Sequence, residues 1–240
     1  MKAMIFAAGL GTRLKPLTDT MPKALVPVGG KPLLYHVICK LLDTGYDEIV
    51  VNVHHFAQQI IDYLADNDFP VKISDESDLL LETGGGIKHA QSLLEPVGTQ
   101  FLVHNVDILS NLDLEWFRSQ TRPDALATLL VSERETSRYL LFDDSMRLKG
   151  WTNIKTGEVK SPYPADELKD CRRLAFSGIH NMSPRIFKAM ENWPERFPII
   201  DFYINECKNH PIYGVVPDNL QMIDVGKLDS LGKAEDFLRI

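Results

Sequence analysis

The period of the apolar positions changes several times along the chain, and each change marks an element. Residues 3–8 form a short apolar run that ends at a glycine-containing stretch, the pattern of a buried strand. From Pro32 the spacing becomes helical. Leu33, Leu34, Val37, Ile38, Leu41 and Leu42 share one face, and Gly45 supplies the stop. Ile49-Val50-Val51-Asn52-Val53 is β-branched and predicts a second buried strand, followed by a helix over 56–65 and a short strand over 71–73. Thr83-Gly84-Gly85-Gly86 closes a polar loop and opens a helical run to Leu94, and Phe101–Asn105 reads as a strand with Val106-Asp107 at its end. About four alternations of strand and helix in the first 110 residues predict a parallel sheet covered on both faces.

The second half is less regular. Strands are expected over 125–131, near 174–181, 212–216 and 221–223, with a hairpin within 138–152 around Asp143-Asp144-Ser145. Residues 153–172 are polar and turn-rich, helices are expected near 184–191 and 198–208, and a last one starts at about 227. There is no internal repeat and no clear linker, so one domain over 1–240 is expected. It is of the α/β class, with a mixed, mostly parallel sheet and smaller β elements in its second half.

Composition narrows the function classes. Of 240 residues, 44% are hydrophobic and 25% charged, which is ordinary for a globular protein. With 26 Lys+Arg against 33 Asp+Glu the net charge is -7, which argues against a nucleic-acid partner but not against a small phosphorylated ligand. Cys39, Cys171 and Cys207 are odd in number and form no C-x-x-C pair, so a reducing cytoplasmic setting is expected. The apolar start is too short for a signal peptide, and no membrane association is expected.

The loop after the first strand is the first place to look for a ligand in an open α/β sheet. It does not carry the Rossmann fingerprint, because Leu14 stands where the third glycine belongs, and no segment fits a Walker A loop. A nicotinamide dehydrogenase and a P-loop NTPase are therefore disfavoured. The loop carries cations instead: Arg13, Lys15 and, between prolines, Lys23. Glycines that let the backbone approach, beside an arginine fork and a lysine point charge, suit a polyphosphate.

The segment Ala7-Ala8-Gly9-Leu10-Gly11-Thr12-Arg13-Leu14-Lys15-Pro16-Leu17-Thr18, continued by Met21-Pro22-Lys23-Ala24-Leu25-Val26-Pro27-Val28, resembles the signature of the sugar-1-phosphate nucleotidylyltransferases, and Gly30-Lys31-Pro32-Leu33-Leu34 matches the helix start that follows it. The resemblance implies a nucleotide-diphospho-sugar transferase fold, with residues 1–110 as nucleotide-binding half and 111–240 as sugar-binding half. It implies transfer of NMP from an NTP to a sugar 1-phosphate, without a covalent enzyme intermediate and with pyrophosphate as leaving group.

Residue by residue, the resemblance puts Ala8, Gly9, Gly11, Thr12, Arg13 and Lys23 on the nucleotide, with Arg13 and Lys23 catalytic. It puts Glu82, Thr83, Gly84, Gly85 and Gly178 at the sugar. Strand-end aspartates are the natural holders of Mg²⁺ in such chemistry, and Asp107 and Asp224 match the family's two metal positions. Two departures stand out. Val106 replaces the glycine of the family's Asn-Gly-Asp segment, and the Glu-Lys-Pro segment whose lysine holds the sugar phosphate is missing, which leaves Lys149 or Lys155 as candidates. The glycine segment is most similar to that of the short enzymes acting with UTP on N-acetylmuramate 1-phosphate or with GTP on mannose 1-phosphate. A phosphocholine cytidylyltransferase of the same fold and a non-catalytic nucleotide-sugar binding protein are the alternatives. The expected assembly is a monomer or small homo-oligomer.

Overall fold

The computed structural model describes residues 1–95, 98 and 100–239. In chain order it contains β1 (Lys2–Phe6), β2 (Pro27–Val28), β3 (Lys31–Pro32), α1 (Leu33–Asp43), β4 (Glu48–Val53), α2 (Ala57–Asp66), β5 (Val71–Asp75), α3 (Glu82–His89), α4 (Gln91–Leu94) and β6 (Phe101–Asn105). The second half adds β7 (Ile108–Ser110), α5 (Leu114–Ser119), β8 (Ala127–Ser132), β9 (Arg138–Phe142), β10 (Leu148–Asn153), β11 (Glu158–Lys160), β12 (Arg172–Met182), α6 (Arg185–Ala189), α7 (Ile199–Glu206), β13 (Ile212–Val215), β14 (Met222–Asp224) and α8 (Asp229–Phe237).

One mixed sheet organises the chain, in the order β11-β10-β9-β12-β6-β1-β4-β5, with β8 also on β12 and β13 on β8. The strands β6, β1, β4 and β5 are mutually parallel, as the alternating pattern predicts. Side chains of a strand point alternately to the two faces, and the core divides accordingly. Ala3 and Ile5 of β1, with Ile49, Val51 and Val53 of β4, pack with α1 and α2 on one face. Met4, Val50, Phe101 and Val103 pack on the other with Ile87, Phe202 and Tyr203.

The long strand β12 joins the two halves. Its end, Ile179–Met182, runs antiparallel to β6, while Arg172–Leu174 pairs with β9. The register breaks between Phe176 and His180, where Gly178 takes a φ of +75°. A side chain there would stand 2.9 Å from Asn105 Nδ2, so glycine is what lets β12 bend past the end of β6.

One expectation needs correction, and two elements were missed. Gly84, Gly85 and Gly86 do not lie in a loop ahead of a helix; they lie inside α3 and are buried. Glycine is poor in a helix interior, but a Cβ on Gly84 would overlap the Phe197 ring and one on Gly85 would overlap the Glu195 carbonyl. Close packing against 195–197 overrides the propensity. The short elements β7 and α5 escaped the periodicity, because three to six residues are too few to show a period. Among the described residues no helix is long and apolar enough to cross a membrane, and the three cysteines are unbonded.

Candidate active site

The parallel strands all deliver their carboxyl ends to one edge, and a cleft of about 400 Å³ opens there. Its wall combines Ala7, Ala8 and Gly9 after β1, Asn52 of β4, Leu80, Glu82 and Thr83 at the start of α3, and Asn105, Val106 and Asp107 after β6, with Phe6, Lys23 and Pro198 completing it. Gly9 has no heavy atom within 4 Å of where a Cβ would be, so its backbone borders open space. Gly11 sits deeper, at φ +63°, and its carbonyl accepts from Leu14 N (2.9 Å) and from the Thr18 hydroxyl (2.9 Å). It shapes the loop and is outside the cleft wall, and Thr12 is exposed.

Lys23 and Asp107 line the cleft, and two further predicted charges, Arg13 and Asp224, stand beside them without lining it. Lys23, in a short 3-10 turn, donates to Asp107 Oδ2. Antiparallel pairing of β14 with β7 sets Asp224 opposite Ile108, and Val225 N donates to Asp107 O at 2.8 Å, which locks the two aspartate segments together. A methyl group on Gly226 would stand 2.6 Å from Asp224 Oδ1 and 2.9 Å from Nη2 of Arg13, so Arg13 and Asp224 approach each other across this glycine. Burial, and after it the charge of Asp107, push the Asp224 carboxyl above its ordinary range, against the pull of Lys23, Arg13 and Arg134. Two carboxylates held this close repel, and a cation between them relieves the repulsion. Their hard oxygens are the donor type that Mg²⁺ takes, and Mg²⁺ commonly uses only one or two carboxylates beside substrate phosphates. The pair therefore fits that metal. No cluster of three or more His, Cys, Asp or Glu suited to a metal occurs among the described residues.

Of the other expected site residues, most fall outside the cleft. Gly84 and Gly85 spend their amides on the Phe197 carbonyl (2.8 and 3.2 Å) and do not reach the cleft. Thr83 lines it, and its hydroxyl accepts from Ile199 N at 2.9 Å, tying α3 to α7. Gly178 stands behind Asn105 rather than in the wall. Lys15 pairs with Asp19 on the surface (2.9 Å). Lys149 faces Asp143 (3.7 Å), Glu167 (3.6 Å) and the Tyr163 ring, and Lys155 is exposed in the turn after β10. Neither lysine lines the cleft. Val106 has no positive φ; its side chain is buried in the core and its amide donates to Phe6 O at 3.2 Å, so this backbone does not require glycine.

Asn52 and Glu76 are the residues that pattern reading undervalued. The buried Asn52 accepts from Ala7 N (2.7 Å) and Ala8 N (3.3 Å) and donates to Glu76 Oε1 (2.7 Å). The other oxygen of Glu76 accepts from Leu81 N at 3.4 Å. This chain of bonds ties the loop after β1 to the residues leading into α3, on opposite sides of the cleft. An asparagine interrupting an otherwise β-branched strand is the one sequence signal for it. Asn52→Ala leaves these buried groups without partners, at a cost of about 1–3 kcal/mol. A melting temperature lower by several degrees, with a raised KM for nucleotide, is the expected result; unchanged values in both would show the bonds to be incidental.

The sequence profile of the nucleotidyl transferase family matches residues 2–139. The N-acetylmuramate alpha-1-phosphate uridylyltransferase of Neisseria meningitidis serogroup B is 48% identical over 194 residues, 80% of this chain and 79% of the relative. The enzyme of the same name from Caulobacter vibrioides is 34% identical over 232 residues, 92% of this chain and 90% of the relative. The crystal structure of HddC from Yersinia pseudotuberculosis complexed with GMP-PN superimposes with a TM-score of 0.78 at 24% identity, over 99% of both chains. That likeness establishes the nucleotide-diphospho-sugar transferase fold.

Proposed function

This chain belongs to the nucleotidyl transferase family, and from that premise we propose how its cleft works and which substrates it takes. It is an enzyme that transfers NMP from an NTP to a sugar 1-phosphate. The proposed pair is UTP and N-acetylmuramate α-1-phosphate, supported by the two relatives of that activity, each matched over more than three-quarters of its length. GTP with mannose 1-phosphate stands second, supported by the 28% identity to mannose-1-phosphate guanylyltransferase 1 of Arabidopsis thaliana.

The observation that carries the mechanism is the contact of Lys23 with Asp107 in the cleft bordered by Gly9, with Asp224 and Arg13 adjoining that pair. An oxygen of the acceptor phosphate attacks the α-phosphorus in line, a bond to that phosphorus forms, and the bond to pyrophosphate breaks. The residues need only position the reactants and neutralise charge. Ala8 and Gly9 offer backbone to the nucleoside. Arg13 holds the departing phosphates by its planar fork. Lys23 places its ammonium at the charge that grows on the α-phosphoryl oxygens. Asp107 and Asp224 would hold Mg²⁺, which when bound neutralises phosphate oxygens. Glu82 and Thr83 face the acceptor from the opposite wall. The unpaired cysteines support a reducing, cytoplasmic setting.

A matrix of five NTPs against several sugar 1-phosphates with Mg²⁺, read as pyrophosphate release, tests this reading. UTP with N-acetylmuramate α-1-phosphate should exceed every other pair by at least about tenfold, or about 1.4 kcal/mol in transition-state binding. Release only with CTP and phosphocholine would replace the reading, and tight nucleotide-sugar binding without any release would mark a sensor.

A further inference from the structure

Two arginines outside the cleft face a cavity of their own. A second cavity, of about 210 Å³, is lined by Arg134, Thr136 and Arg138, with Tyr139, Trp151 and Phe176 as its aromatic walls. Arg134 is anchored by a bond from Nη2 to Phe176 O (3.1 Å). Thr136 is fixed by its amide, which donates to the Tyr139 hydroxyl at 3.0 Å.

Among the described residues neither guanidinium is paired with a carboxylate, although acids stand nearby. Glu133 is engaged by Arg172 (3.0 Å) and Asp201 by Lys160 (3.7 Å), and the exposed Glu135 is not part of the wall. On a chain with a net charge of -7, two unpaired arginines facing one cavity make a local field that attracts an anion.

The cavity adjoins the cleft. The Phe176 ring meets His180 edge-on at 5.3 Å, and His180 lies 6.3 Å from Phe6 of the cleft wall. At the start of α7, Ile200 lines the cavity and Pro198 the cleft. A sugar whose phosphate lies at Lys23 and Asp107 would extend along β12 toward these arginines.

We propose that this second cavity is a subsite for a carboxylate borne by the acceptor sugar, held by the guanidiniums of Arg134 and Arg138. A guanidinium offers two parallel N–H donors to a carboxylate, which gives direction as well as affinity. The faces of Tyr139 and Trp151 suit the apolar side of a pyranose ring. The inference rests on the proposed acceptor, since N-acetylmuramate differs from N-acetylglucosamine by a lactyl ether that ends in a carboxylate. It gives the enzyme a means of telling the carboxylated sugar from one that lacks the lactyl group.

The experiment is equilibrium binding, by calorimetry, of N-acetylmuramate α-1-phosphate and N-acetylglucosamine α-1-phosphate to the parent protein, to R138Q and to R134Q/R138Q. Melting curves monitor the fold. The parent should bind the carboxylated sugar at least about tenfold more tightly, since one charge-assisted contact contributes that much. R138Q should remove most of this preference and the double variant all of it, with affinity for the analogue that lacks the carboxylate unchanged within about twofold. R138K should keep part of it, because a point charge replaces a fork. Equal binding of both sugars by the parent, or a preference that survives in the double variant, overturns the subsite. Equal loss for both sugars also overturns it, since that result assigns the arginines to the shared phosphate. Because binding is read without turnover, failure of the subsite is separate from failure of the proposed reaction, which the pyrophosphate matrix reports.

Discussion

Asparagine in place of Asp107 is expected to lower turnover about a thousandfold, equivalent to about 4 kcal/mol of transition-state stabilisation, while the fold survives. Asp224→Asn should do the same. Both follow from the proposed metal role of the two strand-end carboxylates, which β14 and β7 hold side by side. Asparagine keeps the size and one oxygen donor but removes the charge that a divalent cation requires. Chelation of the parent enzyme should reproduce the loss, and added Mg²⁺ should restore the parent but not the variants.

The two variants should differ in stability, and that difference separates metal binding from general damage. Asp107 is the counterion of Lys23, whose side chain is only 11% exposed. Its removal leaves a buried ammonium unpaired and should lower the melting temperature. Asp224 is a carboxyl that burial and Asp107 both disfavour in its charged form. Its neutralisation should leave the metal-free protein as stable as the parent, or more so. Near-parental turnover in either variant would remove the metal assignment, and matching losses of stability would point to a structural pair instead.

Lys23→Ala should lower kcat by about a hundredfold to a thousandfold and change nucleotide affinity much less. An ammonium aimed at charge that develops only in the transition state contributes there and little in the ground state. Lys23 is positioned for that role by its 3-10 turn between Pro22 and Val26, which turns the side chain onto Asp107 at the cleft wall. The measurement is steady-state kinetics with the nucleotide and the acceptor each varied. An effect confined to KM would assign Lys23 to simple binding. Lys23→Arg should recover little, because a planar fork does not fill the place of a compact ammonium.

Much of the fold was readable along the chain. The β-branched run at 49–53 and the helical spacing at 33–42 appear as β4 and α1 within a residue or two. Both elements are long and periodic, and both bury one face or two, so hydrophobic pattern dictates them. The glycine run at 84–86 misled for a physical reason. Its local preference is for loop, and only the close approach of the Phe197 ring to Gly84, the Glu195 carbonyl to Gly85 and the Glu76 carboxylate to Gly86 makes glycine necessary in a helix there. Val106 shows the converse: a departure from a motif that the backbone accommodates without strain.

For the site, residue types were legible and partnerships were not. The loop after β1 pointed to a polyphosphate ligand because glycines, Arg13 and Lys23 stand close together in sequence. The Asn52–Glu76 link left a single sequence signal, the asparagine in a β-branched run, because its bonds connect three separate strand ends. Arg134 and Arg138 belong to no sequence motif, and only the cavity they share brings them together. By itself, then, the sequence determined the α/β class, the parallel first half and the identity of the cations and aspartates, since local propensity, periodicity and side-chain chemistry act over short stretches. Only the tertiary structure decided which of these groups meet. The pairing of β14 with β7 sets Asp224 beside Asp107, the bend of β12 at Gly178 turns the second half toward the cleft, and the packing of α3 against 195–197 takes two glycines out of the site. Those are contacts across the sheet edge, and they depend on distances in space that sequence separation does not encode.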